Sequence, residues 1–517
     1  MHSGPQTVPL LLQLPDTCLL AVLQCCADDP RTLFSAARAH SRLHQAAVLA
    51  ASSVTAVLLE PQQQPESVLL YLSKHGQHAS SINLSAPLFW KHCGPAFSLR
   101  QLPKHLHRLE SLRVCGLCVQ LQPGHGYQGL LHAVMPLLQL QLQDCALLDM
   151  GKGLAAALPL LPRLRHLSIT ICTATNEDGS QEYECVFPGE VLQGLQQLTY
   201  LQLADCGLSD PAGLRHLHGL TRLQDLRLSI LGRYDMSASM LSGSQQLTRL
   251  EVGGNNPVDG DGEGVLASLE PAVLAGKTML QHLSVEACYL AGPTGICSDA
   301  AGVTELLSQL QQLHQLTHLS VRYSLHDPTS AEDYSALTTS SKLQYLDVSD
   351  CTLPSGVWQH MFPTGGRLPH LRVLNKGYVH HPTPPAADHA ALEGSRLVSC
   401  CPGLQSLNML RFRYSALLLA PLTGLRGLQD LRLGQAPYGS SEGLEVVCQL
   451  TGLRRLELSD PSEDGLLLQL TQLKGLTHLE YFRVGDQCVH FWIDEVGVLL
   501  RLVWYLCCRI GAGDVVA

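Results

Sequence analysis

The stretch Leu198-Thr199-Tyr200-Leu201-Gln202-Leu203-Ala204-Asp205-Cys206-Gly207-Leu208 sets its apolar residues in an L-x-x-L-x-L-x-x-C-x-L frame. The frame returns at Leu223/Leu226/Leu228, Leu280/Leu283/Val285/Cys288 and Leu343/Leu346/Val348/Cys351. Its fourth position falls at Leu112, Leu140, Leu167, Leu201, Leu226, Leu250, Leu283, Leu319, Leu346, Leu371, Leu407, Leu431, Leu456 and Phe482, at intervals of 24 to 36 residues. Within each frame the L-x-L alternation predicts a short strand with both leucines on one face, because strand side chains alternate at period two. The spacing of Leu214, Leu217, Leu220 and Leu223 predicts a helical or 3-10 segment feeding the next strand.

This period and frame resemble those of leucine-rich-repeat proteins. The resemblance implies an α/β solenoid, a horseshoe of about fourteen units with a parallel sheet on its inner face, over residues 106–488. Repeats pack on their neighbours, so 517 residues need not divide into several ordinary domains. The position after the strand reads Cys145, Cys172, Cys206, Cys288 and Cys351, with Asn255 in another unit. A side chain there must be small and must satisfy backbone groups inside the turn. The Cys/Asn pattern resembles that of intracellular repeats, including those of F-box proteins. Recurrence at one structural position assigns these cysteines to packing rather than to metal or nucleophilic chemistry.

A second resemblance rests on residues 8–48. Leu14-Pro15, Leu19, Val22, Leu23, Asp29-Pro30 and Leu33 resemble an F-box, which begins with Leu-Pro and passes an Asp-Pro turn between helices. At its valine, cysteine and tryptophan positions stand Ala39, His40 and Leu43. Asp29 is placed to cap a helix that Pro30 starts. The resemblance implies docking on the adaptor of a cullin–RING (SCF-type) ubiquitin ligase through Leu14, Pro15, Leu19, Val22, Leu23, Pro30 and Leu33. The repeats would then bind a protein substrate, and catalysis would arise by positioning. The alternative is a non-enzymatic repeat scaffold or adaptor, cytoskeletal or ciliary among the options, with the helices as a cap. Residues 49–105 read as a transition in which Ser81-Ile82-Asn83-Leu84 is a degenerate first repeat strand.

The residue before each frame leucine should line the inner face. That row includes His166, Tyr200, Arg249, His282, His318, Tyr345, His370, Arg455 and Tyr481; Arg372 and Arg432 follow their leucines. Tyrosine and arginine suit buried, hydrogen-bonded recognition, so Tyr200, Arg249, His282, His318, Tyr345, His370, Arg372, Arg432, Arg455 and Tyr481 are the partner-binding candidates. Strands about 4.8 Å apart should set His282, His318, Tyr345 and His370 in one stripe.

Three insertions interrupt the period. Thr173–Glu190 and Tyr378–Asp388 should emerge as loops. Asp259–Glu270 has the oxygen spacing of a calcium loop, but a repeat strand precedes it and no second copy follows, so it reads as an acidic loop entering a helix.

Other patterns carry no chemistry. Cys115 and Cys118 resemble a zinc or redox half-site without a matching pair. Gly124-His125-Gly126-Tyr127-Gln128-Gly129 and Gly439-Ser440-Ser441-Glu442-Gly443 match dinucleotide and nucleophile-elbow strings outside the strand–turn–helix context those need. No enzyme activity, cofactor or metal is expected. A net charge of -10 with no basic run argues against gripping a nucleic-acid backbone. Nineteen scattered cysteines suggest a reducing, intracellular and cytoplasmic setting, with nucleus, cytoskeleton and cilium left open. Pro9-Leu10-Leu11-Leu12 lacks the basic flank of a leader. The apolar run Gly497–Cys508 is short for a membrane span and holds Arg501, so residues 489–517 read as a terminal cap or tail.

Overall fold

A computed structural model describes residues 14–25, 35–36, 38–50, 53–57, 70, 72–73, 79–86, 97–98, 106–120, 136–147, 152–175, 182–184, 186–232, 234–254, 267–291, 300–326, 329–377, 379, 387–410, 416–434, 442–458, 476, 478–484 and 487–490. Two compact units divide the chain. The first holds Met1–Tyr234 and Ser239–Leu247, the second Asp235–Ala238 and Thr248–Ala517.

In the first unit, strands Ser53–Val57, Ser81–Ser85, Ser111–Cys115, Gln139–Gln143, His166–Thr170, Tyr200–Ala204 and Asp225–Ile230 pair in sequence order, all parallel. In-register pairing sets Ile82, Leu112, Leu140, Leu167, Leu201 and Leu226 in one column. All six are buried, as are Leu84, Val114, Leu142, Ile169, Leu203 and Leu228 two residues on. Each such side chain contributes about 1.5–3 kcal/mol by leaving water. Ser81–Ser85 is therefore a repeat strand, and Ser53–Val57 is a strand that the leucine spacing did not reveal. Leu214 and Leu217 are buried in the 3-10 segment Pro211–Gly219 and Leu220 is buried just after it, and Asp210 caps the segment by accepting from Ala212 N at 2.9 Å.

The second unit repeats this plan with Arg249–Gly254, His282–Glu286, His318–Ser320, Tyr345–Asp347, Val373–Asn375, Ser406–Met409, Asp430–Leu433, Arg455–Leu458 and Tyr481–Val484. Gln487–His490 then turns back antiparallel to the last of these. Helices Ala300–Leu310 and Ala387–Cys400 and shorter 3-10 turns form the outer segments.

One register differs from the sequence reading. Leu346 pairs with Leu374 and Leu374 with Leu407, so Leu374, not Leu371, occupies the fourth position of that repeat. The core position two residues on is then Lys376, whose N–H donates to Asn408 O at 2.9 Å as Val348 N does to Asn375 O. A lysine there breaks the L-x-V pattern, whereas Leu371-Arg372-Val373 imitates it three residues early. Lys376 is 2% exposed. Its ammonium pairs with Glu393 of helix Ala387–Cys400 and lies 4.2 Å from the centre of the Trp358 ring.

The turns after the strands share a backbone device. Asp144, Ile171, Asp205, Ala287, Tyr323 and Asp350 have φ between 50° and 59°, and Gly116 takes φ 70° at the equivalent place. This left-handed residue sends its N–H to the next strand: Asp144 to Thr170 O, Ile171 to Ala204 O and Asp205 to Ser229 O at 2.8–3.0 Å. The following cysteine turns inward. Cys145 Sγ lies 3.4 Å from Val114 O and 3.2 Å from Gln143 O, and Cys351 Sγ lies 3.0 Å from Val321 O. Ser324 serves the same place, donating to Val285 O at 2.9 Å. Burial pushes the Cys206 and Cys351 thiols up to about 12, which keeps them protonated as packing groups.

The insertions differ in detail. Thr173–Thr175 and Glu182–Glu184 form an antiparallel ribbon rather than an open loop, since a parallel ladder Cys118–Gln120, Ala146–Leu147, Thr173–Thr175 supplies an edge to extend. Cys115 ends a strand of the main sheet and Cys118 begins one of that second ladder. Ala267–Leu269 is a strand leading to the 3-10 turn Pro271–Leu274, and Glu270 accepts from Ala238 N at 2.8 Å. Asn255, the Asp259-to-Glu263 carboxylates, Gly124–Gly129, Gly439–Ser441, His380–Pro385 and residues 491–517 lie outside the described residues. Helices Asp16–Gln24 and Ser41–Ala50 pack through Leu19, Leu23, Leu43, Ala46 and Ala47.

Candidate recognition faces

Alternation along each strand turns one set of residues to the core and leaves the other on the opposite face of the sheet. That face is polar in both units.

In the first unit, His166 and Tyr200 stack with ring centroids 3.9 Å apart and planes 4° apart, and the Arg227 guanidinium lies 5.2 Å from the Tyr200 centroid. Asp225 holds Arg227 through two bonds of 3.0 and 2.9 Å. Gln141 Nε2 is 2.9 Å from His166 Nε2, Tyr200 OH donates to Gln202 Oε1 at 2.6 Å, and Ser168 Oγ donates to the same oxygen at 3.2 Å. Arg113 donates to Gln143 Oε1 at 3.1 Å. Burial holds His166 below the usual histidine value; Asp225 opposes that shift and Arg227 adds to it. The ring is neutral near pH 7.

In the second unit, His282 and His318 stack at 5.1 Å and His318 and Tyr345 at 5.9 Å, close to the strand spacing that sets them side by side. Glu251 ion-pairs with Arg249 and lies 2.9 Å from His282 Nε2. Glu286 accepts from Ser284 at 2.8 Å and Ser320 at 3.1 Å. Tyr345 OH donates to Asp347 Oδ2 at 3.0 Å and accepts from Asn375 Nδ2 at 3.0 Å, while Asp347 Oδ1 accepts from Ser349 N and Oγ at 2.9 and 2.5 Å. Burial, then the Asp347 charge, pushes the Tyr345 phenol well above its ordinary value. Burial lowers His318, with His282 and Arg249 adding to the shift.

Further along, Arg432 Nε lies 3.5 Å from Asp430 Oδ1 and 3.7 Å from Glu457 Oε2, ion-pair distances beyond hydrogen-bond reach. Arg483 lies 3.4 Å from Glu457, and Arg455 lies over the Tyr481 ring.

The sequence-based candidates divide accordingly. Tyr200 belongs to the first unit's face; Arg249, His282, His318, Tyr345, Arg432, Arg455 and Tyr481 belong to the second's. His370 and Arg372 do not. The shift of register places Val373 beside Tyr345, with Asn375 after Leu374, and leaves His370 and Arg372 exposed before the strand. The stripe is therefore His282–His318–Tyr345–Val373. The sequence reading also passed over Gln139, Gln141, Gln143, Gln202, Glu286 and Asn375. Gln139 precedes its frame leucine, Gln141, Gln202 and Asn375 are middle residues of the L-x-L piece, and Gln143 and Glu286 stand one residue beyond it, all on the same face.

Of the proposed adaptor contacts, Leu19 and Leu23 lie in the core of the helical pair and Leu14 is partly buried against it. Pro15 is exposed and Val22 is 44% exposed. Pro30 and Leu33 lie outside the described residues. Among the described residues no group of three or more His, Cys, Asp or Glu could hold a metal, and no helix is long and apolar enough to cross a membrane.

No protein-family model matches the chain, and no curated protein matches it. Among solved structures, a leucine-rich-repeat protein of Leptospira interrogans superposes with a TM-score of 0.50 at 16% identity, covering 83% of this chain and 90% of that one. An internalin of Listeria monocytogenes gives 0.42 at 17% identity, over 73% of this chain and 87% of its own. The leucine-rich-repeat ectodomain of a receptor kinase from Arabidopsis thaliana gives 0.42 at 11%, over 84% and 51%. The first likeness, with the ladders above, identifies the fold as a leucine-rich-repeat solenoid.

Proposed function

We propose that this chain is a non-enzymatic protein-recognition scaffold that binds another polypeptide through the polar faces of its repeat sheets. The observation that carries this is the pre-organisation of those faces. Rings, amides and carboxylates are held by neighbours on the same sheet, so little side-chain entropy remains to be lost on binding. The buried thiols in the turns, free among the described residues, support a reducing, intracellular setting, with the cytoplasm as its simplest form. A photo-crosslinking amino acid placed at Gln139 or Glu286, both exposed on these faces, should capture discrete protein partners in cells. The same group at Ser308, exposed on the outer helix Ala300–Leu310, should not. Equal capture from both sides refutes the reading.

A second reading is a substrate receptor for a cullin–RING ligase. Its support is the helical pair Asp16–Gln24 and Ser41–Ala50, which has its own small core yet presents Pro15 and Val22 to solvent. Adaptor pull-down by the full chain, abolished by Val22→Asp, would favour it. Absence of binding by the folded full chain leaves the scaffold alone.

A further inference from the structure

We infer that the second unit carries a separate docking surface, on the edge where the chain enters its strands, and that this edge takes an extended, acidic polypeptide segment. The inference goes beyond recognition by the sheet faces and does not depend on it.

The backbone ladder of this unit continues one residue ahead of the strands. Arg372 N donates to Gln344 O, Gln405 N to Arg372 O, Gln429 N to Gln405 O and Arg454 N to Gln429 O, each at 2.8 Å. These five residues form a row stepped by about 4.8 Å, and all are exposed. The register that takes Arg372 off the sheet face is what puts it in this row. Lys342, Arg367 and Arg426 are exposed in the turns just ahead of the same strands.

Charge separates the edge from the face. The described entry segments, residues 339–344, 363–372, 401–405, 425–429, 448–454 and 478–480, hold the cations Lys342, Arg367, Arg372, Arg426 and Arg454 and one carboxylate, Glu480. The strands they feed hold Asp347, Asp430 and Glu457 against Arg432, Arg455 and Arg483, an even balance. On the face the guanidiniums are engaged: Arg432 and Arg483 lie against Glu457, and Arg455 lies over Tyr481. On the edge, Arg367, Arg372 and Arg426 meet no hydrogen-bond, ion-pair or ring partner among the described residues. Arg454 faces Glu480 at 3.4 Å with both side chains more than half exposed, a pair that contributes little. Glu332, Asp333 and Glu445 stand in or before the first turn of their outer segments, the end remote from this edge, and Glu393 is taken by Lys376.

A carboxylate complements an unpaired guanidinium through two parallel N–H groups. The layout favours a polypeptide over other anions. Neutral Gln405 and Gln429 interrupt the cations, and Asp430 and Glu457 lie just inside the edge, so a backbone charged at every nucleotide would set phosphates against carboxylates. A peptide can place its acids only where cations stand. Arg372 and Arg454 are three steps, about 14 Å, apart, which is the separation of acids four residues apart on an extended strand. None of the large exposed apolar residues lies in these entry segments, so the edge lacks the anchor of a membrane-surface site.

Fluorescence anisotropy on the full-length chain tests this with a labelled (Glu-Ser)6 peptide, whose acids recur on one side of an extended strand, and its (Gln-Ser)6 analogue. Saturable binding of the acidic peptide alone is expected, weakened at least about tenfold by Arg367→Gln/Arg372→Gln/Arg426→Gln. Ala301→Glu/Thr304→Glu/Ser308→Glu makes the same change of net charge at exposed sites of helix Ala300–Leu310. That control should leave the affinity within about twofold of the parent, since charges beyond a Debye length are screened. Circular dichroism melts check folding, and Arg372→Glu alone serves if the triple variant does not fold. Failure of the folded chain to bind the acidic peptide overturns the inference, and so does an equal loss in the two triple variants. Tighter binding of single-stranded DNA of about 20 nucleotides, or of phosphatidylserine vesicles, through the same arginines overturns it too. Crosslinkers at Gln139 and Glu286 report on the sheet faces separately: capture there without peptide binding sinks this inference and leaves the recognition reading standing.

Discussion

Replacing Glu393 by glutamine should destabilise the second unit by about 3–5 kcal/mol, because it strands a buried ammonium. The Lys376 side chain is 3% exposed and that of Glu393 17%. Lys376 fills a strand position held by Val348 and Met409 in neighbouring repeats, and it has Trp358 on one side and Glu393 on the other. Removing the carboxylate leaves the cation with the ring, and a cation–π contact is worth only about 0.5–2 kcal/mol. Lys376→Met should cost less, about 1–3 kcal/mol, since Glu393 keeps some access to water. The double variant Lys376→Met/Glu393→Gln should fall within about 1 kcal/mol of the parent, as apolar replacements of buried pairs commonly do. The resulting coupling is at least about 3 kcal/mol. Urea unfolding followed by circular dichroism gives the global values. Hydrogen exchange in Val373–Asn375 and Ala387–Cys400 gives the local ones, needed because repeat arrays depart from two-state behaviour. Additive single effects, or a Glu393→Gln cost below about 1 kcal/mol, would refute the account of this pair.

Gly116→Ala should destabilise the first unit by more than about 2 kcal/mol: its φ of 70° disfavours a side chain, and a Cβ would stand 2.2 Å from the backbone oxygen of Ala86; an unchanged melting temperature would contradict this. Tyr345→Phe removes a donor from Asp347 and an acceptor from Asn375, and should cost about 1–3 kcal/mol, read by chemical denaturation. His318 titrates below its ordinary value when folded, so the unfolded chain binds the extra proton between the folded pKa and 6.5. The histidine's contribution to stability is therefore full above pH 6.5 and is lost as pH falls through that window. His318→Gln should flatten the slope of stability against pH there, and an NMR titration should place the His318 midpoint below 6.5.

Much of this was legible in the chain. The L-x-x-L-x-L spacing determined the strands, because only one face of a short parallel strand can bury two leucines, and the repeat period determined that strands would stack on like strands. The turn cysteines followed from the same frame, since a small side chain beside two carbonyls is needed at each turn. The repeat at 368–377 was not legible. Leu371-Arg372-Val373 satisfies the local pattern as well as Leu374-Asn375-Lys376 does, and better by polarity. The choice between them is made by groups distant in sequence: Leu346 and Leu407 on either side, and Glu393 and Trp358, which make a lysine tolerable in the core. A shift of three residues then removes His370 and Arg372 from the face and brings Val373 and Asn375 onto it. Sequence alone determined that these strands would carry a polar row. Which side chains of the row are held, and by which neighbours, depends on hydrogen bonds between side chains 25 to 34 residues apart. Only the packed sheet brings those partners within 3.5 Å, and no local spacing encodes them.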